Sequence, residues 1–285
     1  MATTYILHNP QAGRQGNTPL DAAAFAPGQS AKLLPITQIT NYAVFLKGLA
    51  PEDTILIAGG DGTLNRFVND TEGLCIPQQI LYYPCGTGND FTHDLGKTQA
   101  DAPFPVNPYL QDLPLVTVKG KTYRFLNGVG FGIDGYCCQV GDQQRKTPGK
   151  KVNYTAIAVK GLLFHFKPRR ATITADGVTH HFQKVWIAPT MFGRFYGGGM
   201  IAAPGQDRNA GGKLSAVVMH RSGKLKTLLI VPSIFKGQHI RHEKYVQVLE
   251  GKQITVEFDR PTPLQIDGET ILDVTSYTAT LAPAK

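Results

Sequence analysis

Apolar residues in the first hundred positions fall into short unbroken runs. Tyr5-Ile6-Leu7-His8 stops at Asn9-Pro10, Thr54-Ile55-Leu56-Ile57-Ala58 stops at Gly59-Gly60, and Gln79-Ile80-Leu81-Tyr82-Tyr83 stops at Pro84. Runs of this length, ended by Gly, Asn or Pro, predict strands covered on both faces. Between them the period changes. Ala43, Leu46 and Ala50 within 40–50, and Leu64, Phe67 and Val68 within 63–69, recur at helical spacing, and 89–95 also reads as helix. Strand, polar loop and helix in alternation predict a parallel sheet of the α/β class.

The second half has a different pattern. Leu115–Val118 and Thr122–Leu126 flank Lys119-Gly120-Lys121, and Ala171–Ala175 and Val178–Phe182 flank Asp176-Gly177. Both read as hairpins, the second on a strong two-residue turn signal. Further strands are predicted at 213–220, 245–249, 253–258, 264–267 and 277–281, with helices near 150–165 and 223–235. The reading is a mainly antiparallel β domain over 106–285 after an α/β domain over 1–105, the boundary lying at the proline-rich Ala102-Pro103-Phe104-Pro105.

Composition changes this picture little. Of 285 residues, 42% are hydrophobic and 18% charged, as in an ordinary globular protein. No apolar run approaches the roughly 18 residues of a membrane span, and no secretory leader is visible. Cys75, Cys85, Cys137 and Cys138 show neither CxxC nor metal-site spacing, so a reduced, cytoplasmic protein is expected.

Charge changes it more. Residues 1–105 hold 5 Lys and Arg against 9 Asp and Glu, a net of −4, whereas residues 106–285 hold 24 against 12, a net of +12. Basic clusters stand at Arg145-Lys146, Lys150-Lys151 and Lys167 with Arg169-Arg170. Such a half suits an anionic partner, either a membrane surface or a phosphorylated substrate, or serves only as a solvated basic face. No aromatic-interleaved RNA motif or zinc finger accompanies it, so nucleic acid is not the expected partner.

Candidate chemistry sits in three loops that follow the three predicted strands: Asn9-Pro10-Gln11-Ala12-Gly13, Gly59-Gly60-Asp61-Gly62-Thr63 and Pro84-Cys85-Gly86-Thr87-Gly88-Asn89-Asp90. In a parallel sheet all three lie at the carboxyl edge, where open α/β sheets bind ligands. Glycines admit phosphate oxygens to backbone amides, and helices starting at Thr63 and Asn89 aim positive dipole ends the same way. Asp61 and Asp90 add acids suited to Mg²⁺. Other motifs fail. Gly96-Lys97-Thr98 lacks the first P-loop glycine, since position 91 is Phe. Gly130-Phe131-Gly132-Ile133-Asp134-Gly135 matches GxGxxG but lies in the β-rich half. His239, His242 and Glu243 fit no zinc spacing and are expected as solvated surface residues, while His180 and His181 are expected on opposite faces of a hairpin strand.

The ordered set of segments resembles the diacylglycerol kinase catalytic-domain family, in its bacterial lipid-kinase branch, and the wider superfamily of sphingosine kinases and NAD kinases. The resemblance rests on Asn9-Pro10 with Gly13, on Gly59-Gly60-Asp61-Gly62-Thr63 followed by Asn65 and Asn69, and on Gly86-Thr87 with Asn89-Asp90-Phe91. Asn127-Gly128 with Gly130-Phe131-Gly132, Gly197-Gly198-Gly199-Met200, Ala203-Pro204 and Asp267-Gly268-Glu269 extend it over nearly the whole chain. It implies an NAD kinase-like α/β domain, a C-terminal β-sandwich and a site in the cleft between them. It also implies ATP and Mg²⁺ as cofactors, transfer of the γ-phosphoryl group to a lipid hydroxyl such as that of diacylglycerol, and a place in phospholipid biosynthesis. Asn9, Gly13, Thr37, Gly59, Gly60, Asp61, Gly62, Thr63, Gly86, Thr87 and Asn89 would then bind nucleotide, and Asp61 and Asp90 metal. Asp267 would take the acceptor proton with Glu269 assisting; spacing alone gives Asp267-Gly268 as a hairpin turn.

The chain departs from the family pattern at Arg66, where Glu is frequent, and at 211–215, where acids of a structural magnesium network are replaced by Gly-Gly-Lys-Leu-Ser. A nucleotide-binding regulatory protein with little catalysis therefore stays open beside a lipid kinase, as does an NAD kinase-like enzyme. Attachment to anionic membrane is expected to be peripheral and salt-sensitive, and both monomer and homodimer are open.

Overall fold

The computed structural model describes residues 2–10, 25, 30–145, 152–210 and 212–282. Contacts divide the chain into two units, the first ending at Leu113 and the second starting at Pro114.

The first unit is built on β1 (Thr3–His8), β2 (Ser30–Pro35), β3 (Thr54–Gly59), β4 (Gln79–Pro84) and β5 (Phe104–Pro105), in spatial order β2-β1-β3-β4-β5. The first four are mutually parallel, and β5 is antiparallel to β4. Ile55, Leu56, Ile57 and Ala58 are all buried, which is what a central parallel strand covered on both faces requires. The unit also contains the helices α1 (Tyr42–Lys47), α2 (Asp61–Asp70), α3 (Asp90–Asp94) and α4 (Asn107–Leu110). The buried residues Leu64, Phe67 and Val68 form the inner face of α2.

Two differences from the sequence reading have simple causes. The strand β2 carries exposed Lys32 and Leu33 at the sheet edge, so it lacks a buried-strand run. The proline-rich segment at 102–105 does not end the first unit: Phe104 is buried, pairs with Tyr82 and brings the Val106 amide to the Ile80 carbonyl.

The second unit contains β6 (Leu115–Val118), β7 (Lys121–Arg124), β8 (Gly128–Phe131), β9 (Arg169–Ala175), β10 (Val178–Val185), β11 (Thr190–Met191), the short ribbon β12 (Phe195–Tyr196) and β13 (Met200–Ile201), β14 (Leu214–Met219), β15 (Val246–Gly251), β16 (Gln253–Ile266) and β17 (Glu269–Thr280). All its pairings are antiparallel. The runs expected at 253–258 and 264–267 are one strand. Its first part pairs β9 and its last part β8, with register shifts between Glu257 and Leu264. Bulges bend a strand without ending it, and so one chain segment serves both parts of the β-sandwich. Phe131 stacks on Phe258 at 4.0 Å inside it.

Helix α5 (Ile133–Arg145) was not legible, because its Gly135, Gly141 and polar residues blur the apolar stripe. It places Gly130-x-Gly132 at a strand-to-helix step after all. These glycines face protein, however: an added Cβ at Gly132 would lie 2.4 Å from the Trp186 carbonyl oxygen, and one at Gly135 2.0 Å from that of Pro263. The helix α6 (Tyr154–Lys160) runs on into a π turn at Gly161–His165, and α7 (Lys224–Ile230) into a 3-10 stretch at Val231–Lys236.

Candidate functional site

In the first unit the chain passes from β1 to β2 on one side of it, then crosses back to β3 on the other. Strand order reverses between β1 and β3, the place at the carboxyl edge where open α/β sheets generally bind ligands. Four consecutive loops line that edge: Ile36–Gln38 after β2, Asn9 after β1, Gly60 after β3 and the 85–89 segment after β4. At the reversal, Asn9 Nδ2 donates to Thr63 Oγ1 at 2.9 Å, tying the end of β1 to the first turn of α2. Thr37 and Thr87 are exposed on the outer two loops. Gly13 lies outside the described residues.

The glycines have a packing cause. An added Cβ at Gly86 would sit 2.4 Å from Gly60 Cα, and one at Gly59 2.5 Å from the Thr63 side chain. The β3 and β4 loops thus meet backbone to backbone. Asn89 adopts a left-handed conformation (φ 52°) that its short amide side chain tolerates, and it accepts from the Gly86 amide at 3.0 Å while donating to the Gly86 carbonyl at 3.1 Å. Helix α2 begins at Asp61 rather than Thr63, with Gly60 as its extended N-cap, so most of the Gly-Asp-Gly-Thr stretch is already helix.

Asp61 has a structural task. Its carboxylate accepts from the amides of Asp90 and Phe91, both at 2.9 Å, so the first turn of α2 caps α3. Charge on the acceptor strengthens such bonds. Asp90 itself is buried. Tyr82 donates to the Gly59 carbonyl at 3.2 Å, and burial, then the neighbouring Asp61, Cys85 and Asp90, push its phenol well above the usual range. Among the described residues no three His, Cys, Asp or Glu side chains form a metal-binding group. With both Asp61 oxygens engaged by amides, these residues do not make a protein-only cage for Mg²⁺.

In the second unit Asp267 takes a left-handed conformation (φ 45°) at the β16–β17 turn. Its Oδ1 accepts from the amides of Asn127 (2.8 Å) and Gly128 (3.0 Å), and its Oδ2 from that of Leu126. Glu269 is exposed at the start of β17. Sequence reasoning missed two polar side chains of this unit. Arg208 is buried, donates to Asn127 Oδ1 at 3.0 Å and stands over the Phe192 ring; no sequence signal separated it from the surface cations. Asp134, inside the discarded glycine motif, has two carboxyl oxygens sealed from solvent, although the residue keeps some exposed surface. No hydrogen bond of normal geometry reaches either oxygen. Burial raises its carboxyl to about 6, opposed by the nearby amides of Gly135 and Asp134.

Other expectations need correction or carry no chemistry. His239 is 1% exposed, not a surface residue, and its Nε2 lies 3.0 Å from the Ala202 carbonyl oxygen. The apolar packing around Ile234 and Ile240 takes it inside. Arg66 is exposed and paired with Asp70 at 3.4 Å, so this departure falls on the solvent side of α2. All four cysteines are free thiols, and burial pushes Cys137 up to about 12. Asp207 is exposed, with its carboxylate on the Asn209 amide, and Gly211 lies outside the described residues.

Comparison with known proteins decides the family. Residues 3–112 match the diacylglycerol kinase catalytic domain, and residues 127–285 match the YegS C-terminal NAD kinase beta sandwich-like domain. The chain belongs to the diacylglycerol kinase catalytic-domain family, in its YegS-type form. A diacylglycerol kinase of Mycobacterium tuberculosis (strain CDC 1551 / Oshkosh) is 26% identical over 212 residues, covering 72% of this chain and 67% of that one. A diacylglycerol kinase of Bacillus subtilis (strain 168) is 24% identical over 282 residues, covering 94% and 90%. Among solved structures, a diacylglycerol kinase from Bacillus anthracis str. Sterne superposes with a TM-score of 0.61 at 20% identity, covering 99% of this chain and 93% of that one. The first family segment ends one residue before the division at Leu113 and the second lies wholly within the second unit, and at family level the chain is a lipid kinase.

Proposed function

We propose that this chain transfers the γ-phosphoryl group of ATP, carried as its magnesium complex, to the hydroxyl of a membrane lipid of the diacylglycerol class. The observation that supports this most is the reversal of strand order between β1 and β3, with Asn9, Thr63 and the interlocked Gly60 and Gly86 loops around it. Backbone amides at the start of α2 and a floor without side chains suit a polyphosphate. In this reading Asn9, Thr37, the Gly59–Thr63 stretch, Gly86, Thr87 and Asn89 receive the nucleotide, and Mg²⁺ is held mainly by the phosphates, with Asp61 and Asp90 nearby. The acceptor oxygen gives its proton to Asp267, forms the new bond to the γ-phosphorus, and ADP leaves with the bridging oxygen and its electron pair. Glu269 assists from the same turn. Phosphoryl transfer of this kind depends chiefly on positioning and charge neutralisation.

One observation favours a second reading, a nucleotide-binding protein without turnover. Asp61 and Asp267 both hold backbone amides, so a chain that had lost catalysis would still need them. Incubation of the full chain with γ-labelled ATP, Mg²⁺ and a panel of diacylglycerol, ceramide, sphingosine and NAD separates the readings. A labelled lipid is the expected result. Labelled NAD would make the chain an NAD kinase-like enzyme, and nucleotide binding without any labelled acceptor would support the regulatory reading.

A further inference from the structure

Helices α6 and α7 of the second unit are apolar on more than their buried faces. In α7 and its 3-10 extension, Thr227, Ile230 and Ile234 pack into the core, yet Leu225 and Leu229, one helical turn apart, are 74% and 75% exposed, and Phe235 is 51% exposed. At the end of the neighbouring helix, Ile157 and Leu162 are buried while Phe164 is 74% exposed. Lys224 Nζ donates to the Leu163 carbonyl, which binds the start of α7 to the π turn and sets Leu225 and Phe164 one residue from either end of that tether. A helix face that is apolar but unburied marks a contact surface.

The two sequence spans that carry this face hold charge of one sign. No Asp or Glu stands between Asp142 and Asp176, or between Asp207 and Glu243. Within those spans Lys160, Lys167, Lys224, Lys226, Lys236 and Arg241 are all exposed. Exposed Leu and Phe side chains on segments that carry cations and no acids suit an anionic lipid bilayer: the apolar groups enter the acyl boundary and the lysines meet the headgroups. A second copy of this chain would set cations against cations.

We infer that Phe164, Leu225 and Leu229, with Phe235 and the surrounding lysines, form the surface by which this chain docks on anionic membranes. The inference rests on the lipid-kinase reading for its purpose, not for its test. The full chain is co-sedimented with sucrose-loaded vesicles of phosphatidylcholine, with and without phosphatidylglycerol, at low and high salt. ATP and acceptor lipid are left out, so docking is read independently of turnover. Three proteins are compared: wild type, Phe164→Ser with Leu225→Ser and Leu229→Ser, and Lys160→Gln with Lys167→Gln and Lys236→Gln. All six positions are exposed, and unchanged melting temperatures check the fold.

Wild type is expected to prefer anionic vesicles. The apolar variant should lose about ten-fold or more in partitioning at either salt, and the lysine variant should lose the anionic preference that high salt also removes. Partitioning unchanged in the apolar variant, or a wild type that pellets with neither vesicle, would overturn the inference. So would a wild-type dimer that the apolar variant turns into a monomer without any vesicle binding. A chain that docks as described but labels no lipid would refute the kinase reading and leave the surface standing.

Discussion

Asp267 shows how one side chain can be read twice. Spacing gives a turn, the family resemblance gives a base, and the structure shows a carboxylate gripping the amides of Leu126, Asn127 and Gly128. Asp267→Asn keeps the left-handed backbone accessible but turns an amide donor toward one of those N–H groups. Loss of the clamp alone predicts about 1–3 kcal/mol lower unfolding stability. Loss of a base adds a fall in turnover of about 10²–10⁴-fold, with ATP affinity little changed. Denaturant unfolding and steady-state kinetics on the same variant separate the two, and wild-type turnover would return Asp267 to the turn. Asp134 was illegible, because nothing in its neighbouring residues reveals that its oxygens are sealed. Its carboxyl stands at about 6 when folded through burial, against about 3.9 unfolded. The folded state therefore holds the extra proton between those values, and stability falls as pH rises through that window. The loss is about 2–3 kcal/mol and is complete above the folded value. Unfolding midpoints from pH 4.5 to 7.5 should show this decline, and Asp134→Asn should flatten it. An equally steep decline in the variant would assign it to another group.

The buried strands and the loops that end them were legible because each central strand is apolar without interruption and stops at Gly, Asn or Pro. What the sequence could not show was why the glycines are needed. The phosphate argument asks for open backbone, whereas the structure shows the Gly60 and Gly86 loops already in contact with each other. Helix α5 and the continuity of β16 were also hidden, the first behind glycines and polar residues, the second behind bulges that look like a strand break. The loop pair gives its own prediction. Gly86→Ala forces a methyl against Gly60 Cα, costs about 1–3 kcal/mol by overpacking and weakens MgATP binding as the loops part. Gly205→Ala, where an added Cβ meets nothing within 4 Å, should stay within about 0.5 kcal/mol of wild type. Unfolding curves and calorimetric titration with MgATP check both. A Gly86→Ala protein with unchanged affinity would remove the loop pair from the site.

For the molecule as a whole, the contrast between a net −4 over residues 1–105 and +12 over residues 106–285 is visible in composition, but its use is not. The basic segment 146–151 that suggested an anionic partner lies outside the described residues, and the exposed apolar face of α6 and α7 emerged only once the helices were seen against their core. No described helix is long and apolar enough to cross a membrane; in the proposed reading the acceptor is met at a membrane surface. The proposed reaction is phosphoryl transfer to a lipid from nucleotide held at the carboxyl edge of the first sheet. The direct measurement follows the label of γ-labelled ATP into the chloroform phase of vesicles containing diacylglycerol, for wild type and for Gly60→Val, whose side chain would enter the space between the loops. Wild type is expected to label the lipid and the variant to lose about 10²-fold or more, as when positioning fails. Label that stays in the aqueous phase with wild type, or equal transfer by Gly60→Val, would contradict it.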